Sequence, residues 1–134
     1  MKEILAIGIA LINEQNQILI ARRPAHKALP LKWEFPGGKV EENESFESCI
    51  IREIKEELNL DIMPVDYIGK ESFQYDYAHV TLHLYTGKII SDSPLKLNEH
   101  IEIKWVNANE LETYDFPELD LPFLIKLKKI YSQT

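Results

Sequence analysis

Residues 37–60, GGKVEENESFESCIIREIKEELNL, decide how the rest of the chain is read. Phe46, Ile50, Ile54 and Leu58 recur at i, i+4 spacing, which predicts a helix over 45–58 with one apolar stripe. Ser45 is placed to cap its first turn. Asn59 stands where a left-handed residue ends a helix, a position in which Asn commonly replaces Gly. At about 100° per residue, Glu53, Glu56 and Glu57 fall in a second stripe beside the apolar one, at the edge of the core. Three carboxylates so placed repel and raise one another's pKa, unless hard divalent cations such as magnesium turn the repulsion into coordination. The plainer alternative is a solvated acidic face, the usual fate of a charge run.

Upstream, an apolar run at 4–12 and a second at 18–21 flank the polar stretch 13–17, predicting two strands joined by a turn, the first buried on both faces. Residues 22–39 carry prolines and the pair Gly37-Gly38 without a sustained period and read as one long loop, the kind of segment that often holds a site. Downstream, 65–90 is rich in aromatic and β-branched residues, and Val80, Leu82 and Leu84 alternate with Thr81, His83 and Tyr85, so two or more strands are expected. A strand at 101–106, a capping box at 107–110 opening a short helix, and a basic amphipathic helix at 122–131 complete the pattern. Pattern alone gives a mixed α/β domain spanning 1–134, without repeat or linker.

A chain of 134 residues forms one core, burying about two thirds of the surface its unfolded form exposes. At 45% hydrophobic and 28% charged residues it falls in the ordinary globular class. No apolar run approaches the roughly 20 residues that span a bilayer, and the first residues lack a secretory signal, so a cytoplasmic protein with no membrane partner is expected. Cys49, the one cysteine, reads as core packing. The net charge of -7 disfavours nucleic-acid polymers, whose binding relies on Lys and Arg. An acidic small molecule stays compatible if metal ions lie between it and the protein. Nothing in the sequence separates a monomer from a homodimer.

The segment also has a longer-range order. Gly38 is followed after five residues by Glu44, then after seven by Arg52-Glu53-Ile54, Glu56-Glu57 and Leu60. This resembles the Nudix box, with Asn59 where that box has Gly. Chance would produce the remaining matches in roughly one chain per million. The order of elements along nearly the whole chain is similar to the MutT branch of the family.

The resemblance implies the Nudix fold, a mixed β-sheet sandwiched between helices. It implies a pyrophosphohydrolase using Mg2+ or Mn2+, in which water attacks phosphorus and a nucleoside triphosphate yields monophosphate and pyrophosphate. Carried over by position, Glu53, Glu56, Glu57, Glu99 and the Gly37 carbonyl would hold metal. Arg52 would steady a catalytic glutamate, and Glu53 or Glu99 would serve as general base. Glu102 competes with Glu99 in the alignment, and an ordinary exposed Glu is the alternative there.

At the nucleotide, Arg23 would meet phosphate or base, Phe35 would stack and Asp120 would read the base edge. Their plainer readings are a surface cation, a loop anchor and the N-cap of the last helix. MutT likeness points to 8-oxo-dGTP. Asp120 departs from the guanine-specific pattern, which has Asn, and a carboxylate there could accept from guanine N1–H and N2–H or from the cytosine amino group. Modified cytidine triphosphates, CTP or ADP-ribose are therefore the nearer alternatives. A non-catalytic nucleotide sensor is the distant one, though such a module need not keep all three glutamates. His79 and His83 share a strand face and receive no role.

Overall fold

The computed structural model describes residues 2–132. Strand β1 (Glu3–Leu11) runs parallel to β6 (His79–Ile89), which pairs antiparallel with β5 (Ile62–Gln74), and β4 (Gly37–Lys39) adds antiparallel to the other edge of β1. This gives a four-stranded mixed sheet in the order β4-β1-β6-β5. A second, antiparallel sheet has β2 (Gln17–Arg22) between β3 (Trp33–Glu34) and β7 (Glu102–Asn107). Helix α1 is Phe46–Leu58 and α2 is Leu121–Tyr131, with short 3-10 turns at Ala108–Thr113 and Glu118–Asp120. The expected architecture, a mixed sheet with a helix packed on each face, is observed.

The two faces of the central strands explain their unbroken apolar sequence. Ile7, Ile9 and Leu11 of β1, with Leu19 of β2, pack on Ile50, Ile54 and Leu58 of α1. Ala10, Ile18 and Ile20 face the opposite core with Phe123, Leu124 and Leu127 of α2. Burying each such aliphatic side chain stabilises the fold by about 1.5–3 kcal/mol, so both helices are held by packing more than by propensity. None of the described helices is long and apolar enough to cross a membrane.

One expectation needs correction. The predicted loop 22–39 contains β3 and β4, which join different sheets on either side of Pro36. A segment interrupted by proline pairs only for two or three residues at a sheet edge, too briefly for alternation to show in the sequence.

The ends of α1 are as predicted. Ser45 Oγ accepts from Ser48 N–H at 3.1 Å, and Asn59 is left-handed at φ 59°, ψ 30°. Asn59 N–H donates to Lys55 O at 3.1 Å, and its side-chain Nδ2 donates to Pro94 O at 3.0 Å. Glycine adopts this backbone freely, whereas a β-branched residue clashes. Asn59→Gly is expected to change stability by less than about 1 kcal/mol and Asn59→Val to cost more than that. Denaturant unfolding of both variants checks this, and equal midpoints would contradict it.

Candidate active site

A cleft of about 590 Å³ opens where the first halves of β1 and β6, strand β4, the C-terminal half of α1 and the segments around 23–29, 75–77, 98–100 and 117–120 meet. Arg23, Phe35, Gly37, Gly38, Glu53, Glu56, Glu57, Glu99 and Asp120 all line it. Arg52 and Glu44 stand behind this lining. His79 and His83 are not in it, and His83 instead meets Tyr67 OH through Nδ1 at 2.8 Å.

The glycine pair is sterically required. A Cβ at Gly37 would lie 1.9 Å from Ile7 O, and one at Gly38 would lie 2.1 Å from the Glu53 carboxylate. Lack of a side chain thus lets β4 approach both β1 and the acidic face of α1. That face is organised by Arg52. Its Nε and Nη2 donate to the two oxygens of Glu44 at 2.7 and 2.9 Å, and its Nη1 donates to Glu53 Oε1 at 2.7 Å. A forked pair of this kind fixes the guanidinium more firmly than a single bond does. The Arg52 bond, helped by the Glu41 N–H, holds the Glu44 carboxyl down to about 2. Cys49, fully buried beneath, is pushed up to about 12 by burial and the Glu44 charge, so its thiol stays protonated, as core packing requires.

Glu57 is the unusual member of the stripe. It is only 6% exposed, and its Oε1 has no hydrogen-bond partner among the described residues. Burial first, then the adjoining Glu53 and the charges of Glu34, Glu53 and Glu99, drive its carboxyl well above the ordinary range. An ionised carboxylate in this place calls for a cation. The carboxylates of Glu53, Glu56 and Glu99 in the same lining are hard oxygen donors that suit a divalent ion, so the residues fit one. They are not a finished cage. Among the described residues no three His, Cys, Asp or Glu side chains stand close enough together to enclose a metal. Glu56 turns outward, with a side chain 60% exposed that reaches Arg52 at 3.4 Å, and Glu99 pairs with Lys27 across the mouth of the cleft. The expected convergence of three carboxylates is therefore only partial.

At the far end of the cleft Asp120 is 4% exposed. Burial, and then the Glu34 charge, raise its carboxyl well above the usual value against the opposing pull of Arg23. Its backbone is helical at φ -82°, ψ -18°, and its side chain makes no capping bond among the described residues. Asp120 thus stands at the N-cap position of α2, as the plainer reading has it, but its side chain does not cap, because a capping residue needs extended backbone to aim its oxygen at the first turn. Tyr75 OH accepts from Leu119 N–H at 3.0 Å and pins the turn that carries Asp120. Arg23 is no free surface cation: Nη1 donates to Glu34 at 2.8 Å and Nε to Ala28 O at 2.7 Å. Phe35 is 5% exposed and packs on Phe116, with ring centroids 5.4 Å apart.

Residues 2–127 match the NUDIX domain family. The chain belongs to that family. It is 32% identical to the 8-oxo-dGTP diphosphatase of Escherichia coli K12, over 94% of this chain and 96% of that one. It is 30% identical to the CTP pyrophosphohydrolase of the same organism, over 91% and 90%. The crystal structure of the MutT protein from Methanosarcina mazei Go1 superposes with a TM-score of 0.86 at 27% identity, covering 98% of this chain and 97% of that one. The protein is thus a Nudix hydrolase.

Two residues of this Nudix cleft escaped the sequence reading. Glu34 and the buried His100 face each other, His100 Nε2 lying 2.7 Å from Glu34 Oε2. Burial would raise the Glu34 carboxyl, but the His100 bond and the Arg23 charge together hold it below the ordinary value. The one available signal was position: Glu34 sits between two aromatics just before the glycine pair, and His100 directly follows Glu99.

Proposed function

We propose that this Nudix hydrolase is a metal-dependent nucleoside triphosphate pyrophosphohydrolase that clears 8-oxo-dGTP or a related oxidised nucleotide from the cytoplasmic pool. The observation that carries the reading is one cleft that holds the buried Glu57 carboxylate beside Glu53 and Glu99 and, in the same lining, a second buried carboxyl at Asp120. The first suits a cation and the phosphate chain, the second a base.

Glu53, Glu56, Glu57, Glu99 and the Gly37 carbonyl would hold Mg2+ or Mn2+. Such an ion supplies positive charge to the phosphate oxygens and acidity to water. Arg52, fixed by Glu44, keeps Glu53 in one orientation. Glu53 or Glu99 takes the proton from the attacking water as its oxygen bonds to phosphorus, and pyrophosphate leaves with the electron pair of the broken P–O bond. Asp120 reads the base edge, while Arg23 and Phe35 shape the pocket around it. Lys27, paired with Glu99 in the same lining, would add a positive charge for the phosphate chain. The acidic net charge of -7 favours free nucleotides over nucleic-acid polymers.

A second reading, hydrolysis of CTP or a modified cytidine triphosphate, is favoured by one observation. A buried carboxyl, rather than the amide of the guanine-specific pattern, stands at position 120. The test is pyrophosphate release from a panel holding 8-oxo-dGTP, dGTP, CTP, 5-hydroxy-dCTP and ADP-ribose, with magnesium. The highest kcat/KM is expected for an oxidised guanine nucleotide. A cytidine nucleotide in first place selects the second reading. A preference for ADP-ribose, or no hydrolysis at all, overturns both.

A further inference from the structure

Behind the glutamates, a chain of polar side chains crosses the floor of the cleft. Arg23 bonds Glu34, Glu34 bonds His100 Nε2, and the opposite ring nitrogen, Nδ1, lies 3.9 Å from Glu57 Oε1. That distance is too long for a hydrogen bond, yet both atoms are fully buried and neither has another partner among the described residues. Leaving a buried polar atom unsatisfied costs about 1–3 kcal/mol, so two such atoms facing each other gain by closing the gap, a side-chain shift of about 1 Å. The loop carrying His100 is already clamped to the end of α1. Asn98 N–H donates to Glu57 O at 3.0 Å, Asn98 Nδ2 to Glu56 O at 2.8 Å, and Lys96 N–H to Leu58 O at 3.0 Å.

We infer that His100 is a positioning residue for Glu57: anchored on Glu34 through Nε2, it engages Glu57 Oε1 through Nδ1 and leaves the second carboxylate oxygen for a divalent cation. The inference rests on the reading of Glu57 as a metal ligand. A rigid ring with nitrogens on opposite edges bridges two carboxyls at a fixed separation, which a flexible Lys could not do. Metal-ligating carboxylates are typically held from behind in this way, and removal of the holding group weakens metal binding or activity by about 10- to 100-fold. His100 adjoins Glu99, so one clamped loop would both supply a ligand and orient another.

Binding of Mn2+ alone to the nucleotide-free protein, followed by electron paramagnetic resonance, tests this, with unfolding midpoints recorded in EDTA. His100→Ala is expected to weaken Mn2+ binding by about 10- to 100-fold and to lower kcat more than it raises KM for the nucleotide. His100→Asn, whose amide reaches the place of Nδ1, should recover part of the affinity. His100→Gln, whose amide reaches the place of Nε2, should not. Mn2+ affinity within about twofold of wild type in a folded His100→Ala protein overturns the inference. Equal losses in the Asn and Gln variants also overturn it, since they mark a packing effect, and that pair decides the matter if the Ala variant fails to fold. Glu57→Gln separates the two levels. If it loses Mn2+ while His100→Ala keeps it, only the role of His100 falls. If Glu57→Gln binds Mn2+ like wild type, the metal reading of Glu57 falls with it.

Discussion

Glu53→Gln and Glu57→Gln are each expected to lower kcat by at least about a hundredfold, the scale on which loss of a group stabilising transition-state charge is felt. The two substitutions should differ in every other respect. Glu53 is held by Arg52 at 2.7 Å, so its amide leaves a charged partner to find new contacts. Glu57 has a buried oxygen with no partner among the described residues, and its carboxyl is raised by burial and neighbouring charge. A carboxyl whose folded pKa is raised contributes stability below its ordinary value and loses it as the pH climbs through the raised value. Glutamine has no such loss. In EDTA the midpoint of Glu57→Gln should therefore exceed that of wild type at neutral pH, and the gap should close towards acid. An enzyme at once more stable and nearly inactive is the signature of a buried ligand retained for chemistry. Wild-type turnover that survives EDTA, or either variant working at near wild-type rate, would end the catalytic reading.

The legible parts of this protein are those whose signals are local and repeated. Helix α1 announces itself through four apolar residues at one spacing, a capping Ser45 and a terminating Asn59, and each of these acts within one turn of its own position. The strand pair β1 and β2 is legible because its central stretches, Ile7 to Leu11 and Ile18 to Ala21, are buried on both faces and carry no polar residue. Strands β3 and β4 are not, since two or three residues flanking a proline become a strand only when a neighbouring edge is present to pair with. The site divides in the same way. The glutamate spacing and the Arg52 clasp lie within one helix and the turn before it. His100 and Glu34 are 66 positions apart and meet only because the loop before β7 is clamped to α1 beside β3. A lone polar residue ahead of a strand has no period to betray its burial, so no pattern in the sequence marks His100 as part of the cleft floor. Glu56 shows the limit of spacing in the opposite sense: helical periodicity places three carboxylates on the cleft side but cannot tell that Arg52 reaches this one as well.

Asp120→Ala should cut kcat/KM for the preferred nucleotide by about 10- to 200-fold, or 1 to 3 kcal/mol, with adenine nucleotides suffering less. The structure narrows what else could follow. With no capping bond to lose, the variant should not pay the usual loss of about 1 kcal/mol for a missing N-cap, and relief from burying a carboxyl should leave its unfolding midpoint unchanged or higher. Asp120→Asn is the finer probe. Burial and the Glu34 charge raise the Asp120 carboxyl, so in acid it is neutral and offers one donor and one acceptor, as an amide does. As the pH rises through the raised value the carboxyl becomes acceptor only, and preference should move towards bases that present adjacent donors, such as the N1–H and N2–H edge of guanine. The Asn variant should resemble wild type at low pH and show no such movement, because its amide does not titrate. Rates of pyrophosphate release for each nucleotide across this range, measured for the three proteins, check the argument. An unchanged ranking of nucleotides in both variants at every pH would remove Asp120 from base selection and leave that choice to Arg23 and Phe35.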